Sequence, residues 1–347
     1  MKAQFSWLEL IVTSTIAMTT LAACGGSGGG SAAPAPVPAP APTTAAIQGP
    51  YGFNEDLRAE AQAVVALSSQ QKADILRMMD QNDSFLALDD LYFKNFDSEE
   101  DRQKELSHFN GEGVKLYNNV KKNCQVISPA ARITGALAQN TPQVIKVDRQ
   151  ISGSNCPIGF TSTSINTMSA YNLSVAPQAN GPAMETLTQT SVETLKSQES
   201  VVDQDLASNP NTIVSQNRNV EVDNNYAAFQ FITGGAVLSG TAHSRKVSTA
   251  DHTLSSGVTF KSTVKTEITV NKTDRHLQLL YKLEFSDGKK LIIGAFNDNN
   301  VVTVWVNGQA ATLASVQHDL KMDLSGATDL NPWLQKNLKP SVVSSGT

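Results

Sequence analysis

Three cysteines in 347 residues are too few for a small disulfide-stapled scaffold. Charged residues make up only 17% of the chain, against roughly a quarter in typical soluble domains. The formal net charge is -5, and this mild acidity argues against nucleic acid as a partner, because phosphate binding needs clustered Lys and Arg. Histidine is equally sparse. His108, His243, His252, His276 and His318 are scattered, with no pair four apart and no His-Glu-x-x-His, so a helical zinc-hydrolase site is not written here. Composition also excludes collagen, coiled coil and full disorder. The apolar fraction of 40% with 22 Gly is ordinary, and the length suffices for one large or two small domains.

What is present begins at Met1. Lys2 gives a sparse positive start, and Leu10, Ile11, Val12, Ile16, Met18 and Leu21 form an apolar run ending at Ala23. The 14 residues from Leu10 to Ala23 cannot span a hydrocarbon layer of roughly 30 Å. They fit the apolar region of a signal peptide. The run closes on Leu21-Ala22-Ala23-Cys24, which resembles a lipobox, the mark of bacterial lipoproteins with a type II signal peptide. The resemblance covers residues 1–24 alone. It implies cleavage between Ala23 and Cys24, acylation of the Cys24 thiol and of the new amine, and anchoring in the bacterial envelope. Gly25, rather than Asp, follows the cysteine, which by the same resemblance implies export to the outer membrane. Multiple acyl chains give stable anchoring, since each buried methylene contributes roughly 0.8 kcal/mol.

Residues 25–33 read GGSGGGSAA and residues 34–42 read PAPVPAPAP. The first is a flexible coil and the second favours extended polyproline II. Neither can bury apolar surface. The 26-residue spacer Gly25–Pro50 should reach roughly 30 Å as a coil and about 80 Å fully extended. Its Gly25-Gly26-Ser27-Gly28-Gly29 matches Gly-x-Ser-x-Gly formally, but a nucleophile elbow needs a strand before it and a helix after it. The predicted organisation is therefore a signal peptide over 1–23, lipidated Cys24 and spacer over 24–50, a helical part over 51–135, and an antiparallel β part over 136–347.

The helical reading rests on Leu57, Ala61, Val64 and Val65 at 3.6-type spacing, and on Ser69 as a cap before Ala73, Ile75, Leu76 and Met79. A further helix is predicted from Val114, Leu116, Tyr117 and Val120, with Lys121 and Lys122 in its last turn. Asp80-Gln81-Asn82-Asp83-Ser84 resembles the start of a calcium loop, but Phe85 replaces the turn glycine and Leu91 the terminal glutamate, both of which an EF-hand needs. Cys124 and Cys156, in an exported chain, are predicted to pair.

From Gln143 the period becomes two. Breaks are read at Pro157-Ile158-Gly159 and Gly181-Pro182, and 186–200 as a polar strand. Val258, Phe260, Val264, Ile268 and Val270 share one face, with Lys261, Lys265 and Glu267 on the other. Leu277, Leu279, Tyr281, Leu283 and Phe285 return after a turn at Asn271–Asp274. Asp287-Gly288 and Asn307-Gly308 mark two-residue hairpins. The fold class is thus α+β: helices, then a long-stranded antiparallel meander forming a twisted sheet, half-barrel or barrel. A membrane-spanning barrel is disfavoured by the Lys, Glu, Gln and Asn spread through the strands.

No catalytic constellation stands out. Asp251-His252 and His318-Asp319 are neighbours, but along a strand neighbours point opposite ways. Ser239 and Ser244 near His243, and Asp203 with Asp205, read as polar strand and turn residues. No phosphate-cradling glycine loop lies between a strand and a helix. The expectation is a non-enzymatic envelope lipoprotein with a binding or assembly role, needing no cofactor or metal. Its partners would be the membrane, through its acyl chains, and an envelope protein or lipid. The alternatives are a carrier of hydrophobic ligands with a half-barrel cavity, and a hydrolase whose site is not recognisable.

Overall fold

A computed structural model describes residues 55–75, 100, 103, 118–127, 132–134, 143–179, 181–201, 213–232, 237–298 and 301–319. They form one antiparallel sheet of 12 strands. β1 (Gln125–Ile127) and β2 (Arg132–Thr134) both pair with β3 (Gln143–Ser152). The meander continues through β4 (Ile158–Gln178), β5 (Gly181–Val201), β6 (Ile213–Ile232), β7 (Val237–Leu254), β8 (Thr259–Asn271), β9 (Arg275–Phe285), β10 (Lys290–Asp298), β11 (Val301–Val306) and β12 (Gln309–Ala311). Each of these strands is bonded to the next, and the sheet is open, not closed into a barrel. β4 and β5 have 21 residues each, about 70 Å of strand. Lengths then fall to 6 residues in β11 and 3 in β12.

Two faces follow from the period of two. The core face carries Ile151 of β3, Phe160 of β4, Leu195 of β5, Val220 and Phe229 of β6, Ile268 of β8 and Leu277, Leu279, Tyr281 and Leu283 of β9. Ile75, Val120 and Val316, from the helical residues 69–75, 118–123 and Leu313–Asp319, join the same apolar cluster. The opposite face is covered differently. Residues 55–63 run over β7–β10 as a strap, with one helical turn at Arg58–Ala61. Leu57 and Ala61 bury against Leu280, Ile292 and Phe296. β10 is therefore buried on both faces from Leu291 to Asn297, which is why Leu-Ile-Ile-Gly-Ala-Phe lacks alternation.

Gly294 shows how closely the strap approaches. A Cβ added there would lie 2.3 Å from the Ala61 Cβ and 2.9 Å from the Phe296 ring. Polar clamps fix the strap's register. The Gln278 amide donates to the Glu55 carbonyl at 2.6 Å and accepts from the Leu57 N–H at 3.0 Å. Glu55 takes Arg245 and, at 3.0 Å, Lys265, while Glu60 takes Lys282 at 2.9 Å. Burial raises the Glu55 pKa, but hydrogen bonds and charge from Arg245 and Lys265 outweigh it and leave the group below its ordinary value. Lys282 is raised, because the two carboxylates around it outweigh its burial. The Arg58 guanidinium sits 4.9 Å over the Phe296 ring and pairs with Asp298, a cation–π contact that also covers the apolar latch.

The turns refine the sequence reading. Asn307 and Gly308 both take positive φ, the two-residue type I′ hairpin that Asn-Gly favours. The Asp287-Gly288 turn is longer than two residues. Gly288 donates to the Phe285 carbonyl and Phe285 to the Lys289 carbonyl, each at 2.9 Å, so a type I turn is followed by glycine in the left-handed region. Gly257 repeats this geometry after Leu254. The breaks read at Pro157-Ile158-Gly159 and Gly181-Pro182 fall at the starts of β4 and β5, which begin at Ile158 and Gly181.

Two helical details also shift. The cap of the second helix is Ser68, one residue before Ser69. Its Oγ accepts from the Gln71 N–H at 3.2 Å, and the Gln71 side chain accepts from the Ser68 N–H at 3.1 Å, a reciprocal capping box. Ile75 is buried on this helix, but Ala73 is exposed.

Candidate functional site

Cys124 and Cys156 are disulfide-bonded, with Cα atoms 4.8 Å apart. The bond ties the end of helical residues 118–123 to the β3–β4 hairpin. Closing a loop of sequence separation 32 contributes roughly 3–4 kcal/mol on the chain-entropy estimate. Ala23, Cys24, the Asp80–Ser84 tract, His108, Asp203 and Asp205 lie outside the described residues.

The serines and histidines weighed from sequence are not brought together as a nucleophile and base. Ser244, on the core face, donates to Asn224 at 2.7 Å. His243 points to the strap face, its Nδ1 3.0 Å from Thr269 Oγ1, with its pKa lowered by burial. Ser239 donates to Gln230 at 2.8 Å. Asp251 is exposed on the face opposite buried His252, as strand geometry requires. His276 and Asp298 do meet, in a pair shared with Arg58 at the strap's edge.

The chemistry concentrates instead on a polar belt across the core face of β3–β8. Register places its members in rows. One row runs Arg149, Ser162, Ser197, Arg218. Toward the β3–β4 and β7–β8 turns lies Phe160, Glu199, Gln216, His252, Phe260. Two rows to the other side lies Asn166, Glu193, Val222, Lys246, Thr266. Buried polar groups cost free energy unless hydrogen-bonded, so each row is defined by its bonding.

In the next row, His252 is bonded at both ring nitrogens. Gln216, with its amide oriented to suit both neighbours, donates to His252 Nδ1 at 3.0 Å and accepts from Arg218 at 2.7 Å. His252 Nε2 lies 2.8 Å from Ser262 Oγ, and the imidazole stacks on Phe260 at 4.3 Å. Accepting at one nitrogen and donating at the other needs a neutral ring. Burial, and then the nearby Arg218 charge, push its pKa down to about 3. Arg218 also faces Glu199 at 4.0 Å.

Glu193 accepts from Ser164 Oγ at 3.0 Å. Burial raises its pKa to about 7, against the opposing pull of the Ser164 hydrogen bond and the charges of Lys246 and Arg149. Ser162, Ser197 and Asn166 are 6%, 8% and 7% exposed, yet Ser162 Oγ, Ser197 Oγ and Asn166 Oδ1 have no hydrogen-bond partner. Three such atoms in one patch are unusual, because each unsatisfied buried group costs roughly 1–3 kcal/mol. On β6 and β7 the same face is only half-buried, at Val222, Lys246 and Ser248.

Sequence reasoning missed this belt. Phe160-x-Ser162-x-Ser164-x-Asn166-x-Met168 does carry a signal: apolar residues at both ends of one face enclose polar ones. The alternate positions Thr161, Thr163 and Thr167 are polar too, so nothing in the pattern says which face is buried. Among the described residues no group of three or more His, Cys, Asp or Glu is placed to hold a metal ion, and no helix is long and apolar enough to cross a membrane. Comparison with protein-family models, curated proteins and solved structures finds no match for this chain.

Proposed function

We propose that this chain is a lipid-anchored protein of the bacterial outer membrane, and that its β domain is a non-catalytic binding module displayed on a spacer. The observation that carries the anchoring is the tetrapeptide Leu21-Ala22-Ala23-Cys24, which closes an apolar run and opens an uncharged Gly/Ser and Ala/Pro tract. Cleavage before Cys24 leaves 324 residues, and setting aside Cys24 and the 26-residue spacer leaves 297 for the folded part. Lys2 and Glu9 cancel, so the side-chain charge of -5 belongs wholly to the mature chain.

The binding role is supported by the belt just described, whose hydroxyl, amide, carboxyl and guanidinium groups converge on one buried face. Ser244 and His243, on opposite faces, do not form the nucleophile–base pair that covalent hydrolysis needs. The belt also weighs against a purely apolar carrier, since it interrupts the apolar face with charged side chains. Cys24→Ala tests the anchoring. The variant is expected in the soluble fraction of lysed cells, without acyl label. Continued membrane association would overturn the reading.

A further inference from the structure

We infer that the core face over Ser162 and Ser197 is a binding slot for a small oxyanion group, a phosphate or sulfate carried free or on a lipid headgroup. The row Arg149, Ser162, Ser197, Arg218 sets two adjacent hydroxyls between two guanidiniums. Neighbouring strands lie about 4.8 Å apart, so the guanidinium-bearing strands are separated by roughly 14 Å, with the hydroxyl pair at the centre. Both hydroxyls are more than nine-tenths buried and lack partners. Hydroxyls can donate to an anionic oxygen, and hydrogen bonds to charged acceptors are the strong ones. Arg149 and Arg218 bring positive charge to the two ends of the row, Arg218 while also donating to the Gln216 side chain.

The surroundings favour an anion. Lys246 adds a third cation within reach of Glu193, whose interaction with it and with Arg149 is felt electrostatically. Glu193 is held largely neutral below about pH 7 by burial, which leaves Glu199 as the counter-charge to Arg218. Asn166, directly opposite Glu193 across the β4–β5 pair, contributes a further unpartnered acceptor for a hydroxyl of the ligand's carrier group. Entry is possible from β6 and β7, where Val222, Lys246 and Ser248 are half-exposed.

This site deepens the binding-module reading and rests on it, while anchoring through Cys24 stands or falls on its own test. The experiment uses the full mature chain in detergent, titrated in one arm with inorganic phosphate and in another with dihexanoyl phosphatidic acid. Heat of binding and melting temperature are followed in both. Saturable binding with a raised melting temperature is expected in at least one arm, and the tighter arm identifies the source. Ser162→Ala with Ser197→Ala should bind roughly tenfold more weakly or worse. The same double variant should melt, without ligand, no lower than wild type, because it removes only unpartnered hydroxyls. Arg149→Gln serves as a second probe and should also weaken binding. Absence of binding in both arms, or binding unchanged in the serine double variant and in Arg149→Gln, would overturn the slot.

Discussion

Glu193→Gln should stabilise this protein, and only at the upper end of the pH range. The carboxyl is buried at the centre of the belt, facing Ser164, Asn166, Lys246 and Arg149, and its pKa is raised from 4.5 to about 7. A raised acid binds its proton more tightly folded than unfolded. Between 4.5 and 7 the native state therefore holds more protons, and stability falls as pH rises through that window. Moving the carboxyl from 4.5 to about 7 makes the full loss about 3 kcal/mol. The amide of the variant keeps the size and the acceptor for Ser164, and it has no charge to desolvate. Its new N–H groups sit at the position directly opposite Asn166, whose side-chain oxygen is unpartnered. Variant and wild type should thus unfold alike near pH 4.5, and the variant should be more stable by about 3 kcal/mol at pH 8. Urea melts monitored by circular dichroism at a series of pH values give the difference. His252 titrates in both proteins and cancels from it. A variant equal to wild type at pH 8, or weaker, would refute the reasoning. It would mean that the carboxylate is ionised and held by Lys246 and Arg149.

Other perturbations probe the remaining supports. Gly294→Ala should cost about 1–3 kcal/mol by forcing the strap off β10, and adding Ala61→Gly should recover part of it in urea melts. Leu57→Ala, which empties a buried position in the same latch, should cost about 2–5 kcal/mol, again read as a shifted denaturation midpoint. Replacing Cys124 and Cys156 together by Ser should lower stability by roughly 3–4 kcal/mol, and reductant should destabilise wild type but not the variant. Since burial holds His252 near 3, its contribution is intact above the ordinary histidine value of 6.5. It is lost as pH falls toward 3, so removing the ring by His252→Gln should flatten the acid limb of the stability curve.

The meander was legible because its later strands alternate cleanly. Phe260 to Val270 keeps its apolar residues on one face, Leu277 to Phe285 does so apart from Leu280, which meets the strap, and Asn307-Gly308 names its turn. β10 reads as a strand over Leu291–Phe296 but without alternation, because the strap buries its second face. The spacing of Leu57, Ala61, Val64 and Val65 predicts an amphipathic helix for that strap. Only one helical turn forms, at Arg58–Ala61. The apolar pair docks on the sheet while Glu55 and Glu60 are claimed by Arg245, Lys265 and Lys282, partners roughly 190–220 residues away. Local spacing carries no information about contacts so distant. The belt stayed hidden for a related reason. Strands rich in Ser, Thr, Asn and Gln present polar groups on both faces, and burial is decided by register across six strands.

The anchoring claim is tested most directly at the mature N-terminus itself. Protein purified from native membranes, digested and analysed by mass spectrometry, should yield an N-terminal peptide that begins at Cys24 and carries diacylglyceryl and an amide-linked acyl chain. A mature chain that begins at another residue, or an unmodified Cys24 peptide, would contradict it.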